Sequence, residues 1–182
     1  MTPVSDVCEL KQQLSKSSVI VMIGPQCGGK TTLASKLTDF SYISLGQAVR
    51  ECADNELSQL AERLVTLAKP WPAELGLAFV EDDIYRCLLR NQKILLDGYP
   101  RRIDEYYVLL EWLRLNNLPA IDTIIEVTAS YGTLLARYAL RKSRNNESRS
   151  FFDLRYEQYK CFRRAIRSLA VRKIVYDTSE VL

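Results

Sequence analysis

Histidine is absent from all 182 residues. That absence excludes histidine acid–base catalysis and every metal centre built on histidine ligands. Long apolar runs are missing as well. No apolar stretch exceeds the five residues Val19–Ile23, whereas a membrane-spanning helix needs roughly 20. The first eighteen residues hold no apolar signal core, so secretion is not expected. Paired cysteines are lacking too. Cys8, Cys27, Cys52, Cys87 and Cys161 are odd in number and scattered, a pattern of reduced thiols rather than of a disulfide framework or zinc site. A cytoplasmic location follows as the expectation.

What is present suits one folded domain. Hydrophobic residues make up 47% of the chain and charged residues 26%, with a net charge of +3. Such a length and apolar fraction support one sizeable core. The mild basicity suits anionic small molecules.

Helix-like and strand-like stretches alternate. Val4, Val7, Leu10 and Leu14 have helical spacing and predict a short extra helix over residues 4–14. Val19–Ile23 is apolar on both faces, as in a central parallel strand, and ends at a glycine. Further strands are predicted over residues 42–45, 94–97, 121–127 and 173–176. Helices are predicted over residues 31–37, 46–69, 73–89, 105–116, 131–141 and 151–170. Lys69-Pro70-Trp71-Pro72 reads as a turn, Asp104 as a helix cap and residues 142–150 as an exposed polar loop. The expected fold is α/β: a five-stranded parallel sheet with helices on both faces.

The strongest motif lies between the first strand and the first following helix. Gly24-Pro25-Gln26-Cys27-Gly28-Gly29-Lys30-Thr31 fits G-x-x-x-x-G-K-[ST]. The glycines let backbone N–H groups turn in around phosphate oxygens, and the helix adds its positive end. Lys30 can reach terminal phosphates and the Thr31 hydroxyl can sit on Mg²⁺. Thr32 continues the same turn. Asp97, at a strand end, can organise a metal and its waters, or simply cap a turn.

Three further segments extend the pattern. They are Ile43-Ser44-Leu45-Gly46-Gln47-Ala48-Val49-Arg50, Leu96-Asp97-Gly98-Tyr99-Pro100-Arg101-Arg102, and a set of arginines at 137, 141, 144 and 155. From about Val19 to Val181 the chain resembles the adenylate kinase family, within the nucleoside monophosphate kinases that include UMP-CMP kinases. The resemblance implies a three-layer P-loop NTPase-type domain with an acceptor-binding helical insert at about 45–74 and a short lid at about 142–151. It implies transfer of the γ-phosphoryl of ATP to a nucleoside monophosphate, with Mg²⁺ as cofactor. ATP would bind on Gly24 to Thr32 and Arg137. The acceptor would bind on Leu45, Gly46, Arg50, Gly98, Arg101, Glu105, Arg144 and Arg155. Lys30, Arg101, Arg137, Arg144 and Arg155 would serve catalysis, and Thr31 and Asp97 the metal. A monomer is expected, with neither membrane nor nucleic acid as partner. Read without the resemblance, each arginine is a solvated helix charge, and Arg102 is expected in solvent.

Several residues depart from the family pattern. Gln47 replaces an aspartate, Leu45 a threonine or alanine, Cys27 a glycine, and Asn146-Glu147 an aspartate pair. Glu105 replaces a glutamine that reads the acceptor adenine. An ionised glutamate only accepts hydrogen bonds. The acceptor is therefore AMP by family, with CMP or GMP as alternatives, or else Glu105 merely favours a helix start. A catalytically weakened nucleotide-binding protein acting through a partner is the other reading.

Overall fold

In a computed structural model, residues 3–53, 55–66, 71–145 and 148–179 are described, without the side chains of 55, 65–66 and 142–145. Five parallel strands form one sheet in the order β2-β3-β1-β4-β5. They are β1 (Val19–Ile23), β2 (Ser41–Ser44), β3 (Ile94–Asp97), β4 (Thr123–Thr128) and β5 (Arg172–Asp177). β1 lies at the centre, fully buried, between β3 and β4. Parallel strands need crossovers, and the intervening helices supply them on both faces.

Alternation along β1 divides the core. Val19, Val21 and Ile23 face one layer, with Leu96, Ile124, Ile84 and Leu88 of α6 (Glu81–Leu89), Leu109 and Leu113 of α7 (Ile103–Leu115), and Phe162 of α9 (Arg149–Ala165). Ile20 and Met22 face the other, with Leu95, Ile125, Ile174, Leu33 of α2 (Lys30–Ala34), and Leu10 and Leu14 of α1 (Val7–Leu14). A period of two along a strand places neighbours on opposite faces, so a wholly apolar strand requires cover on both. A third cluster, Leu134, Tyr138 and Phe152, joins α8 (Tyr131–Asn145) to α9.

Several boundaries differ from the sequence expectation. Val4 is not helical: its main chain pairs with the edge of β5 through Val4 N to Val175 O and Asp177 N to Val4 O, and Asp6 caps α1. The helix expected over 46–69 is broken into α3 (Leu45–Glu51) and α4 (Asn55–Thr66) by extended backbone at Cys52. That over 73–89 is broken at Val80 into α5 (Ala73–Ala78) and α6. The overlooked signal was Glu81-Asp82-Asp83, three carboxylates that favour a helix N-terminus. Regular helix in α2 ends at Ala34, and turn bonds carry the chain to Leu37. α7 begins at Ile103 with Arg102 as its flanking residue. Asp104 therefore lies in the first turn and pairs with Arg102 at 2.6 Å instead of capping. Arg102 is correspondingly held, donating to Trp71 O as well. The polar loop expected over 142–150 is shorter, because the backbone is helical through Asn145 and again from Arg149. Polarity alone marked that loop, and Lys, Ser and Arg are all tolerated in an exposed helix. Residues 69 and 70 of the expected turn, and Asn146-Glu147, lie outside the described residues.

One carboxylate sets the start of the central strand. Asp122 Oδ2 accepts from Ser18 N at 2.6 Å and Val19 N at 3.0 Å. Hydrogen bonds to a charged group contribute about 1.5–3 kcal/mol. Asp122→Ala should therefore lower the free energy of unfolding by about 2 kcal/mol, read as a lower urea midpoint. An unchanged midpoint would show that water replaces the carboxylate at no cost.

Candidate active site

All five strands point their carboxyl ends at one face, where open α/β sheets place their ligand crevice. A cavity of about 930 Å³ opens there. The register sets Met22 beside Asp97 and Ser44 beside Asp97, so the ends of β1, β2 and β3 meet at one point. The loop from Gly24 to Gly29 leaves β1 and curls under the cavity. Its conformation needs left-handed backbone at Gly29 (φ 89°) and also at Cys27 (φ 63°). A Cβ at Gly28 would sit 2.9 Å from Pro25 O, so no larger residue fits there without a shift. Cys27 instead bears the strain that a glycine would avoid, of order 1–2 kcal/mol.

Lys30 folds back over this loop. Its ammonium donates to Gly24 O at 3.0 Å and Pro25 O at 2.9 Å. Burial holds its pKa below the ordinary lysine value, with Asp97 opposing that shift and Arg101 adding to it. Thr178, just beyond β5, ties the loop from behind: its hydroxyl donates to Gly28 O at 3.0 Å. Arg137 of α8 grips the same residue, at 3.0 Å to Thr178 Oγ1 and 2.7 Å to Thr178 O.

The opposite wall carries the Gly98–Arg102 turn. Gly98 has φ 80°, and Arg101 Nη2 would lie 3.0 Å from a Cβ there, so the guanidinium folds down over a glycine. Burial lowers the Arg101 pKa to about 10, and neighbouring Arg155 pushes in the same direction. Among the described residues no carboxylate forms an ion pair with the Arg101 guanidinium. Two like charges are thus held close together, facing an open cavity.

Most of the residues expected from the sequence line this cavity: Gly24, Gln26, Cys27, Gly28, Gly29, Lys30, Thr31, Thr32, Gly46, Arg50, Asp97, Gly98, Arg101, Arg137 and Arg155. Pro25, Leu45 and Glu105 do not reach its wall. Pro25 contributes only its carbonyl to Lys30, and Leu45 is buried in the core. Glu105 is buried too, and turns inward: Oε2 accepts from Arg101 N at 2.6 Å, and Oε1 lies 3.5 Å from Arg102 Nη1. The turn's own backbone claims the carboxylate, so base reading by Glu105 is not what this geometry offers. The Arg144 side chain lies outside the described residues.

Other wall residues escaped the sequence reading as site members. Arg141 lines the cavity one helical turn after Arg137, as the four-residue spacing allowed. Tyr42, Ser44, Gln158, Tyr159 and Thr178 line it as well. Only the strand register and the docking of α9 bring these together, and neither is a local sequence signal.

The donor set fits Mg²⁺. Thr31 and Asp97 offer hard oxygen ligands on one wall, and magnesium takes one or two such protein ligands, leaving the rest to phosphates and water. Among the described residues no group of three or more metal-ligating acids or thiols exists that would form an all-protein cage.

The chain is similar to known adenylate kinases. The adenylate kinase of Mycobacterium sp. (strain MCS) is 37% identical over 123 residues, covering 65% of this chain and 67% of that protein. The chain belongs to the adenylate kinase family. The adenylate kinase of Mycolicibacterium paratuberculosis is 33% identical over 67% of this chain and 69% of its own length. That of Streptomyces coelicolor is 28% identical over 75% of this chain. These alignments span between 64% and 69% of the relatives' own length. No family model matches the chain. Among the described residues no helix is long and apolar enough to cross a membrane.

Lys30 carries a testable conflict between stability and function. Its folded pKa lies below the unfolded value, so the fold disfavours the charged form. That penalty is complete below the folded pKa and is lost as pH rises from there through the unfolded value. Lys30→Met should raise the urea midpoint at pH 7, and the gap to wild type should narrow toward alkaline pH. A lower midpoint for the variant would mean that the two loop bonds outweigh desolvation.

Proposed function

We propose that this protein transfers the γ-phosphoryl group of ATP to AMP, giving two molecules of ADP. The observation that carries the reading is the arrangement of Lys30, Arg50, Arg101, Arg137, Arg141 and Arg155 around one cavity, with Arg101 beside Arg155. Like charges gathered around a cavity repel one another, and a polyanion that joins them relieves that cost. The cavity lies at the upper end of small-molecule sites in volume.

In this reading the Gly24–Gly29 loop cradles the donor phosphates with backbone N–H groups. Lys30 leaves its two carbonyl partners to meet the terminal phosphates, and Arg137 holds the donor side from Thr178. Arg50 and Arg101 grip the acceptor phosphate, as guanidinium forks suit phosphate oxygens. Arg155 spans the two nucleotides, and Arg144 joins it if the family pattern holds. Thr31 and Asp97 would hold Mg²⁺, which when bound neutralises charge on the donor phosphates. An oxygen of the acceptor phosphate bonds to the γ-phosphorus as the bridging bond to the β-phosphate breaks. No general base is required, because that oxygen is already anionic. Positioning and charge neutralisation carry the catalysis. Residues 45–74 would form the acceptor-binding insert, and the α8–α9 corner a short lid that excludes water on closing.

AMP is the acceptor that the family relationship favours. Glu105 turns into its own loop and leaves the base to other groups. The experiment is a coupled assay with ATP·Mg²⁺ against AMP, CMP, UMP, GMP and dTMP. Turnover should be strong with AMP alone. Arg101→Ala should lower it at least ~10²-fold, the order lost with one electrostatic contact to the transition state. Absence of turnover with all five, despite ATP binding, would reject the kinase and support the weakened nucleotide-binding reading.

Glu105 gives a separate test of the acceptor side. Glu105→Gln should leave the order of acceptors unchanged and should not lower the unfolding midpoint at pH 7, because burial holds the carboxyl pKa above its ordinary value and the amide oxygen can still accept from Arg101 N. A changed order of acceptors would return Glu105 to the base-binding role.

A further inference from the structure

Tyr42 lies on β2 two residues before Ser44, so both side chains share a face of the sheet. β2 pairs with β3 in a register that sets Tyr42 against Leu95 and Ser44 against Asp97. The ring therefore runs along the sheet toward the end of β3. Its hydroxyl donates to Asp97 Oδ2 at 2.7 Å, with the hydroxyls of Ser44 and Thr31 close by.

Asp97 is buried and lines the cavity. Among the described residues, the Tyr42 hydroxyl is the hydrogen-bond donor to its carboxylate. A carboxylate on one methylene rotates freely unless an oxygen is held. Held at Oδ2, it presents Oδ1 in a fixed direction. Outer-shell hydrogen bonds of this kind orient a metal-binding carboxylate and are worth a large part of its affinity.

We propose that Tyr42 is a positioning residue for Mg²⁺-bound nucleotide: its hydroxyl aims the Asp97 carboxylate at the metal and the metal's waters beside Thr31. The inference rests on the nucleotide-binding part of the function proposed above, and it does not need phosphoryl transfer to occur. Phenylalanine would pack in the same place and leave the carboxylate unaimed.

The test is calorimetric. Binding of ATP is measured with excess Mg²⁺ and, separately, with EDTA, for wild type, Tyr42→Phe, Asp97→Asn and the double variant. Tyr42→Phe should weaken Mg²⁺·ATP by about tenfold, the lower end for an outer-shell partner, and change metal-free ATP by less than about twofold. In the Asp97→Asn background the tyrosine change should have no further effect on Mg²⁺·ATP, the non-additivity expected of two groups acting as one. An equal loss with and without metal would make Tyr42 a packing residue and overturn the proposal. So would no loss in either condition, an additive double variant, or a Tyr42→Phe chain that fails to fold. A wild-type chain that binds Mg²⁺·ATP yet gives no turnover with AMP would sink the kinase reading alone.

Discussion

Like charges gathered around an open cavity repel one another, and this protein is arranged around that repulsion. Lys30, Arg101 and Arg155 are near enough for each of the first two to feel a neighbouring cation. The interaction is unfavourable in the free chain, so it must be held by something stronger. That something is the sheet. Fully buried strands β1 and β3 bring the phosphate loop and the Gly98–Arg102 turn side by side. The apolar layers on both faces of β1 supply far more free energy than the cationic cluster removes. A ligand that joins these cations recovers what the fold gave up, which is how binding energy becomes available for catalysis.

The Gly24–Gly29 loop is secured from outside itself. Within it, Gly28 N donates to Pro25 O, and Lys30 donates to the carbonyls of Gly24 and Pro25. Thr178 adds an outside tie, because its hydroxyl reaches Gly28 O and its main-chain N–H reaches Thr128 O. Arg137 on Thr178 then connects α8 to both. The strained φ of Cys27 is kept by this outside framework and by packing against the Leu134, Tyr138 and Phe152 cluster. A side chain in place of glycine is tolerable there because the surroundings over-determine the turn.

How much was legible in the sequence depended on whether the signal was local. β1 and β3 fell where the sequence set them, because their short apolar runs are bounded by Gly24 and by Asp97-Gly98. The Gly24–Thr31 loop was readable because its spacing is local, whereas Arg50, Arg101, Arg137 and Arg155 were singled out by the family resemblance; all of them line the cavity. The breaks at Cys52 and Val80 were not, since helical periodicity of apolar residues continues across both. Tyr42 and Thr178 were invisible for a different reason. Each acts through a partner more than forty residues away, Asp97 for one and Gly28 for the other. Register and docking decide such contacts, and no window along the chain contains them.

Glu105 shows how one substitution can be read in opposite ways. Chemically it replaces an amide that donates and accepts with a group that only accepts, which suggested a changed acceptor base. Structurally the same property suits it to a different task. A buried carboxylate can accept from Arg101 N and face Arg102 at once, and burial raises its pKa only against the pull of these donors. An amide there would satisfy Arg101 N and leave Arg102 paired with Asp104 but without its second carboxylate. The departures from the family pattern thus fall into two kinds. One kind, such as Cys27, is absorbed by the framework around its loop. The other, Glu105, is absorbed into the turn that carries Arg101. Neither removes a cation from the cavity wall, and charge neutralisation by such cations is what the proposed phosphoryl transfer would require.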